Sequence, residues 1–463
     1  FDHLEPGAWN RTVNLETNRG CPYGCTFCDW GSVTLSRIRK FDIERVIAEM
    51  TWAAERGIEA WVVSDANFGI LARDVEIIEH MVELRRRYGV PHALGFTVAK
   101  NTTRHLIAIV ELLTQAGIQP HFALSLQSRD PATLEAINRS NISTDHYLEL
   151  AAGIRRRGLP AYADLMLGLP GQTVDSFRED LQFLIDHEIT ARVWPTQLLP
   201  NAPMNDPAYR AEHGIEVSDQ QIVQATSTFD RFDRAEMMAL RHLNMALEQF
   251  GLLRHVLRFL QWDHGIPATQ VMARLFAVVE DRPFQYPLLT WVLRYFDLFP
   301  VPPLGRDRFL ADARRFVVDE FGVADDTALG AAFAVQRALV PERGRAFPEV
   351  VELDHDYVGY YHDTTRHLVE DGSAPVAPRP LGSYGPGVLE VVGDPLGRCL
   401  SGLGPYDRDP RDEAMMGELW ISGHYELDST LVRLLPEVAA SEGFRHKAPP
   451  RPPGLALVAE PLS

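Results

Sequence analysis

From Thr12 to about Pro200 the apolar residues switch repeatedly between a period of two and a period near three and a half, and nothing else in the chain constrains its fold as tightly. Thr12 to Glu16 alternates like a short strand, and Asp42 can cap an amphipathic helix reaching about Arg56. The pattern then repeats as strand Ala60 to Ser64, helix Asp74 to Tyr88, strand Ala93 to Val98, helix Thr103 to Ala116 and strand His121 to Leu126. Helical residues Asp145 to Arg157 precede strand Ala161 to Leu167, and a helix from about Val174 to His187 precedes strand Arg192 to Leu199. Strands separated by helices pair in parallel, so six such units imply an α/β fold, a partial (β/α)6 TIM-like barrel over 1–210. Its chemistry belongs at the C-terminal ends of the strands. From about Asp219 the texture becomes helical, through Phe229 to Trp262, Pro267 to Val279, Leu288 to Phe296, Arg306 to Phe321 and Ala328 to Leu339. This predicts a mostly helical C-terminal domain over 211–345, then a mixed extension over 346–463 with Pro- and Gly-rich stretches at Gly372 to Gly387 and Ala448 to Gly454. No internal repeat stands out beyond the βα units.

Composition bounds the setting. In 463 residues no run approaches the ~20 apolar residues of a membrane span. The net charge of −18 opposes long contact with a nucleic-acid backbone, because each phosphate contact wants a cation. No cationic, apolar leader is seen, and four cysteines in so long a chain are no disulfide framework, so a reducing cytoplasm is expected. Lysine is confined to Lys40, Lys100 and Lys447 while arginine is abundant, which reads as the base composition of a GC-rich bacterial genome. The chain opens on Phe1 without an initiator methionine, and it is read as the downstream part of something longer.

The stretch NRGCPYGCTFCDWGS, running straight out of the first strand, places Cys21, Cys25 and Cys28 within eight residues. Three readings compete. A disulfide would leave an odd thiol and need an oxidising compartment. A structural zinc site would have to complete its four ligands with Asp29 or a distant histidine. An iron–sulfur cubane with three protein thiolates keeps one iron open for an exogenous ligand. Gly20 and Gly24 would let the loop wrap a cluster and bring its N–H groups near the sulfurs.

Cys-x3-Cys-x2-Cys with Phe27 before the last cysteine resembles the radical S-adenosylmethionine (SAM) superfamily. The resemblance implies a [4Fe-4S] cluster on Cys21, Cys25 and Cys28 whose open iron is chelated by SAM, and a 5′-deoxyadenosyl radical formed when SAM is cleaved. It also implies cofactor contacts for Phe27 and for Asp65 and Asn67, which lie where the superfamily often holds the methionine amino group. Gln127 and Arg139 after the fourth strand resemble contacts to the SAM ribose and carboxylate, a task that suits the guanidinium fork. Asp164 stands where ribose hydroxyls can be bound, before a Gly168-Leu169-Pro170-Gly171-Gln172-Thr173 turn resembling the family's GLPGET-like segment. Leu199, on the sixth strand, joins these cofactor contacts. At the third strand, where many relatives carry an acid, this chain has Thr97-Val98-Ala99-Lys100-Asn101.

The CDWGS and SDANFG segments, with Val193 to Met204, resemble a narrower branch, the cobalamin-dependent radical SAM methylases. In that branch a cobalamin domain precedes the barrel through a linker like Phe1-Asp2-His3-Leu4, so cobalamin is inferred from the resemblance alone. The implied reaction is C-methylation of a small molecule, such as a natural-product intermediate, with a flavodoxin- or ferredoxin-type reductant. Radical oxidation or rearrangement without methyl transfer is the alternative within enzymes. An iron–sulfur electron carrier and a zinc-stabilised binding module are the alternatives outside that chemistry. Asp354 to Asp363 reads as strand aromatics with surface His and Asp rather than a metal site, and Cys399 as an ordinary thiol.

Overall fold

The computed structural model describes residues 12–33, 37–98, 105–159, 161–295, 306–340, 346–392 and 432–434. Its backbone contacts divide into two compact units, one holding the described residues up to Gln172 with Trp194–Asp230, the other Thr173–Val193 and those from Arg231 onward.

The first unit is built on the parallel sheet that the alternation demands. Strand β1, Thr12–Leu15, pairs in parallel with β2, Ala60–Phe68. In turn β2 pairs with β3, Ala93–Val98, and β3 with β4, Gln119–His121. Of the strand expected over His121 to Leu126 only His121 lies in β4, because beyond it the stretch leaves β3 and turns to a different partner. The Leu124 amide donates to Tyr162 at 2.8 Å, and Gln127 exchanges backbone bonds with Asp164 and Met166 on β5, Tyr162–Leu167.

Helices alternate with these strands: α1 Ile43–Glu55, α2 Arg73–Tyr88, α3 Leu106–Gln115, the short α4 Pro131–Ala136 and α5 Thr144–Arg155. Asp42 caps α1 as its position predicts, its side chain accepting from the Glu44 and Arg45 amides. On α3 the buried residues are Leu106, Ile109, Val110 and Leu113, one stripe of an amphipathic helix. Each such side chain contributes about 1.5–3 kcal/mol when withdrawn from water. β2 runs four residues beyond its expected end at Ser64, and that extension carries Asp65 and Asn67 into the interior.

The second unit includes α6, Val174–Asp186, whose N-terminus is closed by a Thr173–Ser176 capping box, and most of β6, Thr190–Pro195. The long helix expected over Phe229 to Trp262 is interrupted. α7, Arg231–Leu243, passes into a π-helical turn at Asn244–Gln249, and Gly251 at φ 78° ends it before α8, Arg254–His264. The apolar period runs through this break without a mark. Four more helices follow, α9 Ala268–Asp281, α10 Pro287–Tyr295, α11 Arg306–Phe321 and α12 Thr327–Leu339.

The Asp354 to Asp363 segment corrects its strand reading, since Tyr357–Glu370 is a helix, α13. Asp356 caps it through the Gly359 amide, and buried Tyr357, Tyr360, Tyr361, Thr364 and Leu368 fall at helical spacing. β7, Glu349–Leu353, pairs antiparallel with β8, Gly387–Val391, and β8 with β9, Val432–Leu434. Phe1 to Leu4, Ala99 to Asn101, Cys399 and Ala448 to Gly454 lie outside the described residues. Among the described residues no helix is long and apolar enough to cross a membrane.

Candidate active site

The three cysteines leave β1 in a loop that is held from several sides. Asp65 anchors its start: one carboxylate oxygen accepts from the Thr17 and Asn18 amides at 2.8 and 3.2 Å, and the other from the Thr17 hydroxyl and Asn18 Nδ2 at 2.5 and 2.6 Å. Further along, the Thr26 amide donates to Ile137 O at 3.0 Å, Asn138 Nδ2 to Gly24 O at 3.0 Å and the Met204 amide to Thr26 O at 2.8 Å. The Tyr209 hydroxyl donates to Ala136 O at 2.6 Å beside the Thr26 hydroxyl. Gly31 must be glycine, because a Cβ there would stand 2.4 Å from Tyr23 O. Cys21 and Cys25 are buried, Cys28 is partly buried, and none of the three is in a disulfide.

Around this loop the strand ends present polar atoms without partners. Asn67, 1% exposed, donates through Nδ2 to Cys21 Sγ at 3.1 Å, and its Oδ1 is buried and unpartnered. Gln127 sits at φ 66°, a strained angle for a side-chain residue that its two backbone bonds to β5 hold in place, and its Oε1 is also buried and unpartnered. Arg139 donates through Nε to Asn141 Oδ1 at 2.8 Å and through Nη2 to Ser125 O at 2.5 Å, leaving buried Nη1 unpartnered. Burial pulls the Arg139 guanidinium below its ordinary pKa, and attraction to Cys25 and a hydrogen bond with it, then attraction to Cys28 and Cys21, oppose that fall. One cation therefore feels all three thiols. After β6, Thr196 is fully buried with its amide on Leu167 O at 2.8 Å and its hydroxyl unpartnered.

The remaining expected contacts are placed as follows. Both oxygens of Asp65 are used within the loop anchor, and burial raises its carboxyl pKa against the bonds from Thr17 and Asn18. Asp164 accepts from the Ser125 hydroxyl at 2.7 Å and from Trp194 Nε1 at 3.1 Å. Phe27 is half-buried in the cysteine loop, and Leu199 and Trp194 are exposed. Asp74, fully buried at the start of α2, accepts from the Gly69 and Leu71 amides at 2.8 and 3.0 Å, and desolvation raises its pKa to about 6. It pins the turn that follows Asn67. Thr196, Asn141 and Tyr209 were not legible as site residues, since a lone Thr, Asn or Tyr near a strand end carries no spacing signal.

The donor set can be tested against the groups that the cysteine motif implies. Among the described residues, no three His, Cys, Asp or Glu side chains converge on one ion. A cubane does not ask for that, because each thiolate binds a different iron. Unpartnered carbonyl oxygens on Asn67 and Gln127 and an unpartnered N–H on Arg139 match the ammonium and carboxylate of an amino acid end. The residues present fit both groups.

Residues 15–184 match the model of the Radical SAM superfamily. This segment belongs to that superfamily. Beyond it, the chain is 34% identical over 288 residues to a cobalamin-dependent radical SAM methyltransferase, TokK, of Streptomyces tokunonensis, covering 58% of this chain and 42% of that one. It is 40% identical over 225 residues to a 2-(S-pantetheinyl)-carbapenam-3-carboxylate methyltransferase of Streptantibioticus cattleyicolor, covering 48% of this chain and 33% of the other. A hopanoid C-2 methylase of Rhodopseudomonas palustris is 26% identical over 196 residues, covering 42% of this chain and 37% of its own. The chain spans less than half the length of each of these relatives.

Proposed function

We propose that this chain carries the radical SAM part of a cobalamin-dependent methyltransferase that C-methylates a small molecule. The observation that carries the reading is the set of four buried, unpartnered polar atoms, on Asn67, Gln127, Arg139 and Thr196, two of whose side chains, Asn67 and Arg139, meet the cysteines of a loop of the superfamily's spacing. Burying such atoms without partners costs about 1–3 kcal/mol each, a cost that a bound polar ligand removes. Cys21, Cys25 and Cys28 would hold the [4Fe-4S] cluster, with the fourth iron left to SAM. Asn67 Oδ1 would receive the SAM ammonium and Arg139 Nη1 its carboxylate, while Gln127 and Asp164 would serve the ribose. Phe27 and Leu199 would line the adenosine. The cluster and SAM together supply a carbon-centred oxidant able to take hydrogen from unactivated carbon. The chain's own task is to fix the SAM amino acid end, to hold Gln127 at its strained angle and to keep water from the buried strand ends.

Cobalamin is supported by the names of the relatives, and it would be supplied outside the residues described. A flavodoxin- or ferredoxin-type reductant in the cytoplasm completes the reading, because a cluster with an open iron needs a reducing compartment. The test is anaerobic reconstitution of the full-length protein with iron, sulfide, cobalamin and SAM, followed by mass spectrometry on a panel of small-molecule acids that includes the carbapenam substrate class. Methylated product together with 5′-deoxyadenosine is expected. SAM cleavage with no methylated product from a substrate that reacts would leave radical chemistry and remove methyl transfer.

A further inference from the structure

The Asn67 side chain donates a direct hydrogen bond to the Cys21 sulfur through Nδ2 and ends, on its other face, in a buried unpartnered Oδ1. Its setting is rigid. Asp65, two residues before, is tied four times to Thr17 and Asn18, and Asp74 holds the Gly69 amide two residues after. Within that clamp the amide has no freedom to turn its faces over, because an iron-bound thiolate only accepts, so the N–H edge must face Cys21 and the carbonyl must face away. A hydrogen bond to a cluster sulfur stabilises the more electron-rich, reduced state and raises the reduction potential.

We propose that Asn67 couples SAM capture to cluster potential: Nδ2 donates to Cys21 Sγ and tunes the cluster, while Oδ1 of the same amide receives the SAM ammonium. This rests on the reading of the site given above. When the carbonyl accepts from a cation, the amide polarises and its N–H becomes a stronger donor, so bound SAM strengthens the bond to sulfur. An electron is then easier to place on the cluster once SAM is there to use it.

The test compares the reconstituted wild-type protein with Asn67→Ala and Asn67→Asp by anaerobic redox titration, with and without SAM. Iron, sulfide and thermal melting are measured on each. Asn67→Ala loses both contacts. Asn67→Asp fills the same space and keeps the acceptor while losing the donor. For both variants the ratio of reduced to oxidised cluster at a fixed potential should fall threefold to tenfold without SAM, a midpoint lower by roughly 28–59 mV for a one-electron couple. SAM affinity should fall at least tenfold in Asn67→Ala and hold in Asn67→Asp, and the SAM-induced rise in midpoint should shrink in both. If Asn67→Ala assembles no cluster, Asn67→Asp carries the comparison. An unchanged midpoint in the cluster-bearing variants would overturn the tuning role and leave the site reading intact. Wild-type protein that assembles no cluster would instead remove the site reading, and with it the inference.

Discussion

Two regions bury charged and polar side chains in quite different ways. In the helical unit, Glu188 accepts from both Arg254 and Arg258, and Arg258 completes its fork with two 2.9 Å bonds to Glu248 on the π-helical turn. Gln336 likewise donates to Gly251 O at 2.6 Å and accepts from the His255 amide at 2.8 Å. These bonds fix the break between α7 and α8. In the barrel unit, Asn67, Gln127, Arg139 and Thr196 each use some bonding capacity on the fold and leave one buried atom unpartnered. In the helical unit Trp262 Nε1 and Arg178 Nε are also buried without a partner, the indole beside the rings of Tyr360 and Tyr361 and the guanidinium with its other nitrogens on Asp175 and Glu236. A network whose bonds are made within the fold specifies structure, whereas polar atoms left open beside the cysteines are ones that a bound ligand would satisfy.

The largest expected effect lies in the cysteine loop. Replacing Cys21, Cys25 or Cys28 by Ala should abolish the cluster's visible absorption and SAM cleavage, while Cys399→Ala should spare both. Equal loss from Cys399→Ala would overturn the assignment of the loop. Next comes the closed network. Arg258→Met leaves Glu188 and Glu248 as buried carboxylates short of a cation, and should destabilise the fold by about 3–5 kcal/mol in denaturant unfolding. A cost under about 1 kcal/mol would mean that the network is not closed in solution.

The two units should also respond to acid with opposite signs. Asp74 has its pKa raised to about 6 chiefly by burial, so the native state keeps a proton that the unfolded chain releases, and stability falls as pH rises from about 4 to 6. The shift is worth about 3 kcal/mol. Glu188, with its pKa lowered to about 2 by Arg258 and Arg254 against its own burial, contributes stability above the unfolded value that is lost as pH falls toward 2. Asp74→Asn, which keeps an acceptor for the Gly69 amide, should flatten the slope between pH 4 and 6 and leave the acid limb in place. A slope unchanged by Asp74→Asn would return that carboxyl to the ordinary range.

Arginine offers the cleanest pairing of open with closed. Arg139→Met should weaken SAM binding by about 1.5–3 kcal/mol with the cluster still assembled, since a charge-assisted contact is lost. Unchanged affinity in calorimetry would leave Arg139 as a brace for Ser125 and Asn141 only.

How far these features were readable follows from the kind of signal each one leaves. The cysteine spacing, the Asp42 cap and the α3 stripe are local, and local order survives in a one-dimensional string. β2 ran past its expected end because Asp65 and Asn67 look like turn residues until Thr17 and Asn18, more than forty positions away, satisfy the first of them. The π-helical turn at Asn244–Gln249 was hidden because an extra residue in a helical turn barely disturbs the apolar period. At Tyr357 the aromatics fit a strand as well as a helix, and the Asp356 cap is what discriminates between them. Thr196 left no sign, since its significance lies wholly in what its hydroxyl does not touch.

That residue gives the smallest but most discriminating effect. An isolated buried hydroxyl with nothing to bond is a liability to the empty fold, so Thr196→Val, which keeps the branched shape, should raise stability by about 1 kcal/mol or leave it unchanged. If the hydroxyl faces bound SAM or substrate, the same change should weaken that ligand by about 0.5–1.5 kcal/mol, the net worth of one neutral hydrogen bond. The two measurements thus move in opposite directions in a single variant. A purely architectural threonine predicts the reverse: its loss would cost stability through a bond absent from this structure and leave ligand affinity untouched. Denaturant unfolding of the ligand-free chain and SAM titration of the reconstituted one would separate the cases. Lowered stability with unchanged affinity for both SAM and substrate would take Thr196 out of the open set and reduce the contrast to Asn67, Gln127 and Arg139.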